Sequence, residues 1–288
     1  MKKFVLFIFS LLVVSCSLFD QEDSSGKDGD IQFLNDIINL NNLNENSSPY
    51  DNDNGDSKFT ALELGFQKWE NNRLVSLDLT ILVPVDTNLY NIHELPKSIS
   101  KASKLRYLVI HNSDISTLPE EICEHPALWN LHLWGNQISN IPVNISSMSN
   151  LEVLQLGSNR IKEIPSSIVN CPKLSHLYLS NNEIDSIPGN IWDLKTLKYL
   201  SLDNNRIKSM PDNIDNISNI YEFNFAHNEL KILPTGLEKV TFIAMYIDVS
   251  SNYLFCSNGL QDTTLIPTYL RKNNSIIGLY NQRCDELQ

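Results

Sequence analysis

A stretch of 23 residues decides the fold of this chain, because the stretch repeats. Residues 151–173 read LEVLQLGSNRIKEIPSSIVNCPK. The apolar framework of this unit consists of Leu151, Leu154, Leu156, Ile161, Ile164 and Ile168. The following unit, residues 174–196, has apolar residues at the same places, namely Leu174, Leu177, Leu179, Ile184, Ile187 and Ile191. The unit therefore follows itself without a gap.

Prolines extend this period over most of the chain. Seven of them are spaced 23 residues apart, namely Pro96, Pro119, Pro142, Pro165, Pro188, Pro211 and Pro234. With 12 prolines in 288 residues, six further matches at one spacing have a chance probability of about 10⁻⁸. The same period is kept by Leu105, Leu128, Leu151, Leu174, Leu197 and Ile220. The sequence therefore predicts a solenoid of stacked coils.

Each unit opens with the spacing L-x-x-L-x-L, which predicts a short β-strand. The last two leucines are two residues apart and point to one side of an extended chain, while the intervening residues point to the other side. A buried amide at the end of the strand can satisfy backbone groups of its own coil and of the neighbouring coil. The asparagines in this position are Asn136, Asn159, Asn182, Asn205, Asn228 and Asn252. The proline belongs to the return path, where its missing N–H leaves nothing unpaired.

The unit resembles the leucine-rich repeat, and the resemblance covers about Leu74 to Leu254. It implies an α/β repeat solenoid, shaped as a curved horseshoe. The parallel β-sheet would line the concave face, with irregular or short-helical segments on the convex side. About eight coils would occupy residues 74–255, and the first of these, 74–104, is eight residues longer than the others, with its surplus in 80–91.

A solenoid needs covered ends, because one coil buries too little apolar surface to be stable alone. We predict an N-terminal cap over 31–73, with a helix that starts at Asp30 as its N-cap and runs to about Leu43. Alternation over residues 62–66 predicts a strand, and Asn71-Asn72 predicts a turn. The non-repeating residues 256–288 form the predicted C-terminal cap.

The N-terminus has the layout of a secretory signal peptide over 1–15. Two lysines precede an apolar run of only 11 residues, 4–14, whereas about 20 are needed to span a bilayer. Val13-Val14-Ser15-Cys16 resembles the bacterial lipobox, which implies a lipid on Cys16 and a lipidated flexible tether over 16–30. The expectation is an exported protein that is lipid-anchored to the bacterial cell envelope, at the outer membrane or the cell surface, with a soluble body. The alternative is an ordinary signal peptide, with Cys16 incidental.

The other four cysteines fall into two classes. Cys171 occupies an apolar position, and Cys123 lies two coils before it, a separation of about 10 Å that exceeds disulfide reach. Cys256 and Cys284 flank the predicted C-terminal cap. Because an exported protein meets oxidising conditions, we predict a disulfide between these two, the alternative being two free thiols.

Composition and motifs argue against nucleic-acid binding and catalysis. The chain has 22 Lys and Arg against 34 Asp and Glu, a formal net charge of −12, so it repels polyanions. It contains no GxSxG, P-loop, HExxH, dinucleotide-binding or CxxC motif. We therefore predict no enzyme, no cofactor and no catalytic residue. His111, His132 and His176 project from strands, but no carboxylate accompanies them at ligand spacing, so no metal site is predicted.

The strand residues that point away from the core form three columns on the concave face. The first column is Ser76, Tyr107, Asn130, Val153, His176, Tyr199, Glu222 and Tyr246. The second is Asp78, Val109, His132, Gln155, Tyr178, Ser201, Asn224 and Asp248. The third is Thr80, His111, Trp134, Gly157, Ser180, Asp203, Ala226 and Ser250.

The middle of this face is rich in rings, with Gly157 leaving room beside Trp134. We predict partner binding by a set that we call the aromatic strip: Tyr107, His111, His132, Trp134, Val153, His176, Tyr178 and Tyr199. Amphipathic rings at the centre of a rigid surface are typical of protein-binding hot spots. The predicted function is a non-enzymatic, lipid-anchored recognition protein with a protein partner. The alternatives are glycan binding by the same strip, a structural spacer, and shielding of the strip by residues 80–91 or by the caps.

Overall fold

Short parallel strands build one long sheet in this protein. The structure is a computed structural model that describes residues 24–43, 61–80, 92–216, 220–239, 246–257, 260–261, 276–277 and 282–284. The predicted signal peptide, Cys16 and residues 81–91 lie outside these ranges. The described strands are β1 (Phe66–Glu70), β2 (Arg73–Asp78), β3 (Tyr107–Val109), β4 (Asn130–His132), β5 (Val153–Gln155), β6 (His176–Tyr178), β7 (Tyr199–Ser201), β8 (Glu222–Asn224), β9 (Tyr246–Asp248), β10 (Cys256–Ser257), β11 (Leu260–Gln261) and β12 (Ile276–Ile277).

The order of strands in the sheet follows the chain from β1 to β9, and β12 pairs with β9 at the far end. From β2 onward, neighbouring strands are parallel. The pairs from β3–β4 to β7–β8 join residues 23 positions apart, so that Leu131 lies beside Leu108 and Leu154. These central leucines are fully buried. The predicted leucine-rich-repeat solenoid, with its parallel concave sheet, is confirmed.

The asparagines at the strand ends join successive coils, as predicted. Asn182 shows the arrangement: its Nδ2 donates to the carbonyl oxygens of Leu156 and Leu179, both at 3.0 Å. Its Oδ1 accepts from the backbone N–H of Ile161 at 2.9 Å. We call the six asparagines at the strand ends the ladder asparagines. The same pattern recurs at each of them, and their side chains are buried: Asn136, Asn159, Asn182, Asn205, Asn228 and Asn252. These amides satisfy backbone groups that a strand of three residues leaves unpaired.

The convex side carries short 3₁₀ helices, most of which start directly after a periodic proline, while Ile145–Ser147 and Ile191–Asp193 start three residues after theirs. Pro119 and Pro165 are extended, with φ −65° in both, and their carbonyl oxygens accept from the backbone N–H three residues later. The described 3₁₀ segments of the repeats are Lys97–Lys101, Glu120–Glu124, Ile145–Ser147, Ser166–Asn170, Ile191–Asp193, Asp212–Asn216 and Thr235–Lys239. Proline therefore stands where its missing N–H costs no hydrogen bond.

The N-terminal helix differs from the prediction at its start. Helix α1 spans Ser24–Leu40, so residues 24–30 are helical, although we predicted them as tether. Asp30 is not the N-cap: it lies inside α1, fully buried. Its Oδ2 accepts from Arg73 Nε at 2.7 Å and from the backbone N–H of Leu74 at 3.1 Å. The Asp30 carboxylate therefore joins the helix to the first coil, since it accepts hydrogen bonds from Arg73 and Leu74 and does not cap the start of the helix.

A β-hairpin covers the first edge of the sheet. Asn71 and Asn72 have φ of 50° and 57°, which confirms the turn and joins β1 to β2 in antiparallel pairing. The strand predicted over 62–66 is wrong, since Ala61–Glu63 is a 3₁₀ turn and β1 begins only at Phe66. Gly65, with φ of 63°, reverses the chain between them.

The C-terminal residues close the last coil. Cys256 and Cys284 are joined by a disulfide with their Cα atoms 5.3 Å apart. The backbone N–H of Arg283 donates to the carbonyl oxygen of Asn252 at 2.7 Å, and Gln282 Nε2 donates to that of Val249 at 3.2 Å. The final ladder asparagine is thus covered. Among the helices of the described residues, none has the length and apolar character required to cross a bilayer.

Candidate partner-binding face

The strands place the concave columns in the predicted register. In the first column, Tyr107, Asn130, Val153, His176 and Tyr199 are consecutive partners across β3 to β7. In the second column, the partners are Val109, His132, Gln155, Tyr178 and Ser201. The third column follows each strand end, where backbone hydrogen bonds also link neighbouring coils, for example from Gly135 N–H to the carbonyl oxygen of Gly157 at 3.0 Å. The residues of the aromatic strip therefore share one face.

One group of rings lies at the end of the face that is closer to the N-terminus. The His111 ring stacks near that of His132, with centroids 6.1 Å apart, and meets Trp134 edge-on at 6.3 Å. A Cβ atom on Gly157 would stand 3.0 Å from Cδ1 of Trp134, so the glycine provides the space that the indole occupies. Trp134 keeps 39% of its surface exposed.

A second group of rings lies on β6 and β7. His176 and Tyr199 stack with centroids 4.6 Å apart and ring planes 15° apart. Tyr178 is tilted against His176 at 6.0 Å. Tyr221, which is 49% exposed, continues this group at 5.9 Å from Tyr199. These rings form an amphipathic surface at the centre of the sheet.

The strip is divided more than its sequence suggests. Val153 and Gln155 occupy β5 between the two ring groups, and Gln155 Oε1 accepts from the backbone N–H of Gly157 at 2.9 Å. Tyr107 belongs to neither group: its ring meets Trp129 edge-on at 4.5 Å. The structure therefore brings the predicted residues onto one face, but as two ring clusters and an outlying tyrosine.

Sequence reasoning missed Trp129 and Tyr221. Both occupy the position directly before the first concave column, outside the three predicted columns. The 23-residue spacing could have identified them, because it defines a fourth column at this position. Its members in successive coils are Arg106, Trp129, Glu152, Ser175, Lys198 and Tyr221. The two aromatic residues extend the ring surface along one edge of the sheet.

Burial shifts the pKa of four side chains in the strip towards their neutral forms, although the protein is strongly acidic. Burial lowers the pKa of His132 to about 4, with a smaller contribution from His111 in the same direction, while Asp78 opposes the shift. Burial likewise lowers the pKa of His111 and His176. It raises the pKa of Tyr178 to about 12. Burial therefore favours the neutral form of these four side chains.

The histidines do not assemble a metal site within the part of the chain that the structure describes. No group of three or more His, Cys, Asp or Glu side chains there could hold a metal ion. The Nε2 atoms of His111 and His132 are buried, with no hydrogen-bond partner among the described residues. Burial also raises the pKa of the Cys123 and Cys171 thiols to about 11, so neither resembles a reactive nucleophile.

Comparison with known proteins supports the repeat and the fold. A leucine rich repeat family model matches residues 126–184 and 149–207. No curated protein matches the chain significantly.

Among solved structures, the plant peptide hormone receptor RGFR1 in complex with RGF2 is similar, with 26% identity and a TM-score of 0.51 over 55% of this chain and 26% of the receptor. A TDR receptor is similar at 23% identity and a TM-score of 0.51, over 56% and 29% of the two chains. The ectodomain of the receptor kinase GASSHO1/SCHENGEN3 from Arabidopsis thaliana, in complex with CASPARIAN STRIP INTEGRITY FACTOR 2, shows 18% identity and a TM-score of 0.53, over 80% and 33%. The last two likenesses, below 25% identity, concern the fold alone. This chain spans only about a quarter to a third of the length of these three receptor chains.

Proposed function

We propose that this chain, a leucine-rich-repeat protein, is a non-enzymatic recognition protein that binds a protein partner through the aromatic strip. The observation that carries the proposal is a set of neutral rings at the centre of a continuous sheet, on a protein of net charge −12. Rigid amphipathic rings contribute strongly to protein interfaces because they bury much area at a low entropic cost.

Two further observations support a protein as the partner. Tyr199 is approached by His176 and by Tyr221, so its ring is largely engaged within the protein and offers little free area for stacking on a sugar. One of the similar solved structures, at 26% identity, is a receptor in complex with RGF2. These points favour a protein partner over the glycan alternative.

Photo-crosslinking tests the proposed binding face. With p-benzoylphenylalanine in place of Tyr178, we expect a covalent protein adduct in cells that produce the chain. The matched control carries the same group in place of Val143, which is 80% exposed and lies outside the concave columns. Adducts at Val143 but none at Tyr178 would refute the proposal. Saturable binding to a glycan array that Tyr178→Ala abolishes would favour the glycan alternative instead.

We also propose that the protein is held at the bacterial cell envelope by a lipid on Cys16. The support is the sequence alone: the basic start, the short apolar run and the Val13-Val14-Ser15-Cys16 tetrapeptide. A lipid would keep the solenoid at a membrane surface without a spanning helix. In cells fed an alkyne fatty acid, we expect labelling of the wild-type protein and loss of the label in Cys16→Ser. Equal labelling of both would refute the anchor.

A further inference from the structure

The charged residues on the concave face are all acidic. Across the three columns of eight residues each, the charged side chains are Asp78, Asp203, Glu222 and Asp248. None of the four forms a salt bridge within the described ranges of the chain. Lysine and arginine are absent from these columns. The three columns therefore combine rings with negative charge that forms no described salt bridge, and they contain no lysine or arginine.

Two of these carboxylates belong to the coils of β7 and β8: Glu222 lies beside the second ring group, and Asp203 follows β7 two columns further along the face. We call these two carboxylates the acidic end. Glu222 is exposed and is the strand partner of Tyr199 across β7 and β8. Its charge contributes to the raised pKa of Tyr178, so the carboxylate is within electrostatic reach of that hydroxyl. A negative charge and two aromatic rings thus share one small area of the face.

Asp203 is held in a fixed orientation at this end. Its Oδ1 accepts from the hydroxyls of Ser180 at 2.6 Å and Ser201 at 2.7 Å. Its Oδ2 accepts from Asn204 Nδ2 at 2.9 Å. These neutral donors orient the carboxylate but leave its charge uncompensated. The side chain is half-buried, so it remains partly open to the concave side.

A positive side chain, Lys198, stands at the edge of this area. Lys198 immediately precedes Tyr199 and is exposed. It forms no salt bridge with Glu222 in the described part of the chain. Neutralisation of the acidic end is therefore left to a partner.

We propose that the acidic end receives an arginine or lysine side chain of the protein partner, with the cationic group between the Glu222 carboxylate and the ring of Tyr178. A cation gains from ring faces and from carboxylates together, and the gain increases when an interface excludes water. Arginine fits better than lysine, because its planar guanidinium stacks on rings while its fork binds a carboxylate. This inference rests on the proposed function, since it specifies the chemistry of a partner at the same face.

The test uses a random dodecapeptide library displayed on phage, selected against the full chain. Peptides whose binding is lost in Trp134→Ala are taken as binders of the concave face. We expect these peptides to be enriched in arginine and lysine. We also expect a synthetic copy to lose about tenfold in affinity when its basic residue becomes glutamine. Glu222→Gln in the protein should cause a similar loss of affinity. Asp203→Asn, made as a separate variant, should also lower the affinity.

The matched control is the pair Glu163→Gln and Asp185→Asn, two exposed residues outside the columns. This pair changes the net charge as much as the variants at the acidic end, which makes it a matched control. Since both residues lie outside the columns, the pair should lower the affinity for the peptide by less than about twofold. An equal loss in the control pair would overturn the inference and indicate general charge attraction. Concave-face peptides without basic enrichment would overturn the inference while leaving the proposed function in place. If no selected peptide depends on Trp134, both fail.

Discussion

At the scale of single residues, the ladder asparagines carry the connection between coils. A strand of three residues pairs few of its neighbours' backbone groups, and the amide of each asparagine supplies the remaining bonds in two coils at once. The sequence predicts this role from the period alone, because a polar amide recurs at the end of each apolar L-x-x-L-x-L unit. The partner atoms of each amide follow from the stacking and were not predictable in detail.

We predict that Asn182→Ala destabilises the protein by about 3–5 kcal/mol. The variant leaves the carbonyl oxygens of Leu156 and Leu179 and the N–H of Ile161 without their partner in a buried place. Asn190→Ala is the control, since it loses a single exposed bond to the carbonyl oxygen of Ser166, and it should cost less than about 1 kcal/mol. Urea unfolding measures both. Equal free energies of unfolding for the two variants would contradict the ladder.

His132 is predicted to make the stability depend on pH. Because burial lowers the pKa of His132 to about 4 in the folded protein, against about 6.5 in the unfolded chain, the unfolded state binds the proton first as the pH falls. The free energy of unfolding is therefore not reduced by His132 above pH 6.5, and it decreases as the pH falls from 6.5 towards 4. Between pH 7 and pH 5, the wild type should therefore lose up to about 2 kcal/mol more than His132→Gln. Parallel urea titrations compare the two proteins, and an identical pH dependence would refute this role.

At the scale of secondary-structure elements, the two ends of the solenoid were harder to predict than its middle. The coils repeat, so an error in one would be visible in the next, whereas each cap occurs once. The period places strands and prolines correctly, but it gives no sign that Asp30 pairs with Arg73, 43 positions away, and lies inside α1 instead of capping it. The turn at Gly65 likewise interrupts an alternation that reads as a strand.

The pair of Asp30 and Arg73 is predicted to hold the N-terminal cap in place. Asp30→Ala should destabilise the protein by about 3–5 kcal/mol, because it leaves the guanidinium charge without its carboxylate and the backbone N–H of Leu74 without its acceptor. The double variant Asp30→Leu/Arg73→Met should recover much of this loss, since it leaves no uncompensated charge. Lys68→Ala is the surface control, because its salt bridge with Glu70 is exposed, and it should leave the free energy of unfolding nearly unchanged. If Asp30→Ala unfolds at the same urea concentration as Lys68→Ala, the pair does not hold the cap.

At the scale of the whole molecule, in-register stacking converts a one-dimensional period into a surface. Residues 23 positions apart become neighbours, so the concave columns can be predicted from the sequence. The strand register of the structure agrees with the predicted columns. The division of the strip could not be read in this way. It depends on rotamers: Tyr107 turns towards Trp129, and Gln155 bonds to the backbone of its own coil. The period determines the backbone position from which each side chain projects. The rotamer, and with it the position of the ring, depends on local packing.

The same stacking makes the face rigid, because each strand is fixed by two neighbours and each coil by its ladder amide. A rigid face with neutral rings at its centre loses little entropy when a partner docks. The acidic end and the rings then act as parts of one surface. Its affinity should depend on a few central side chains, above all on the exposed Trp134.

The most direct measurement is the affinity of the partner captured by crosslinking for wild type and for Trp134→Ala, with thermal unfolding recorded for each protein. We predict a loss of more than about 2 kcal/mol in binding for Trp134→Ala, together with a nearly unchanged unfolding temperature. Ile232→Ala, which alters a residue that is 66% exposed outside the concave columns, should leave both quantities unchanged. An unaltered affinity in a folded Trp134→Ala would contradict the claim that the concave strip is the binding site.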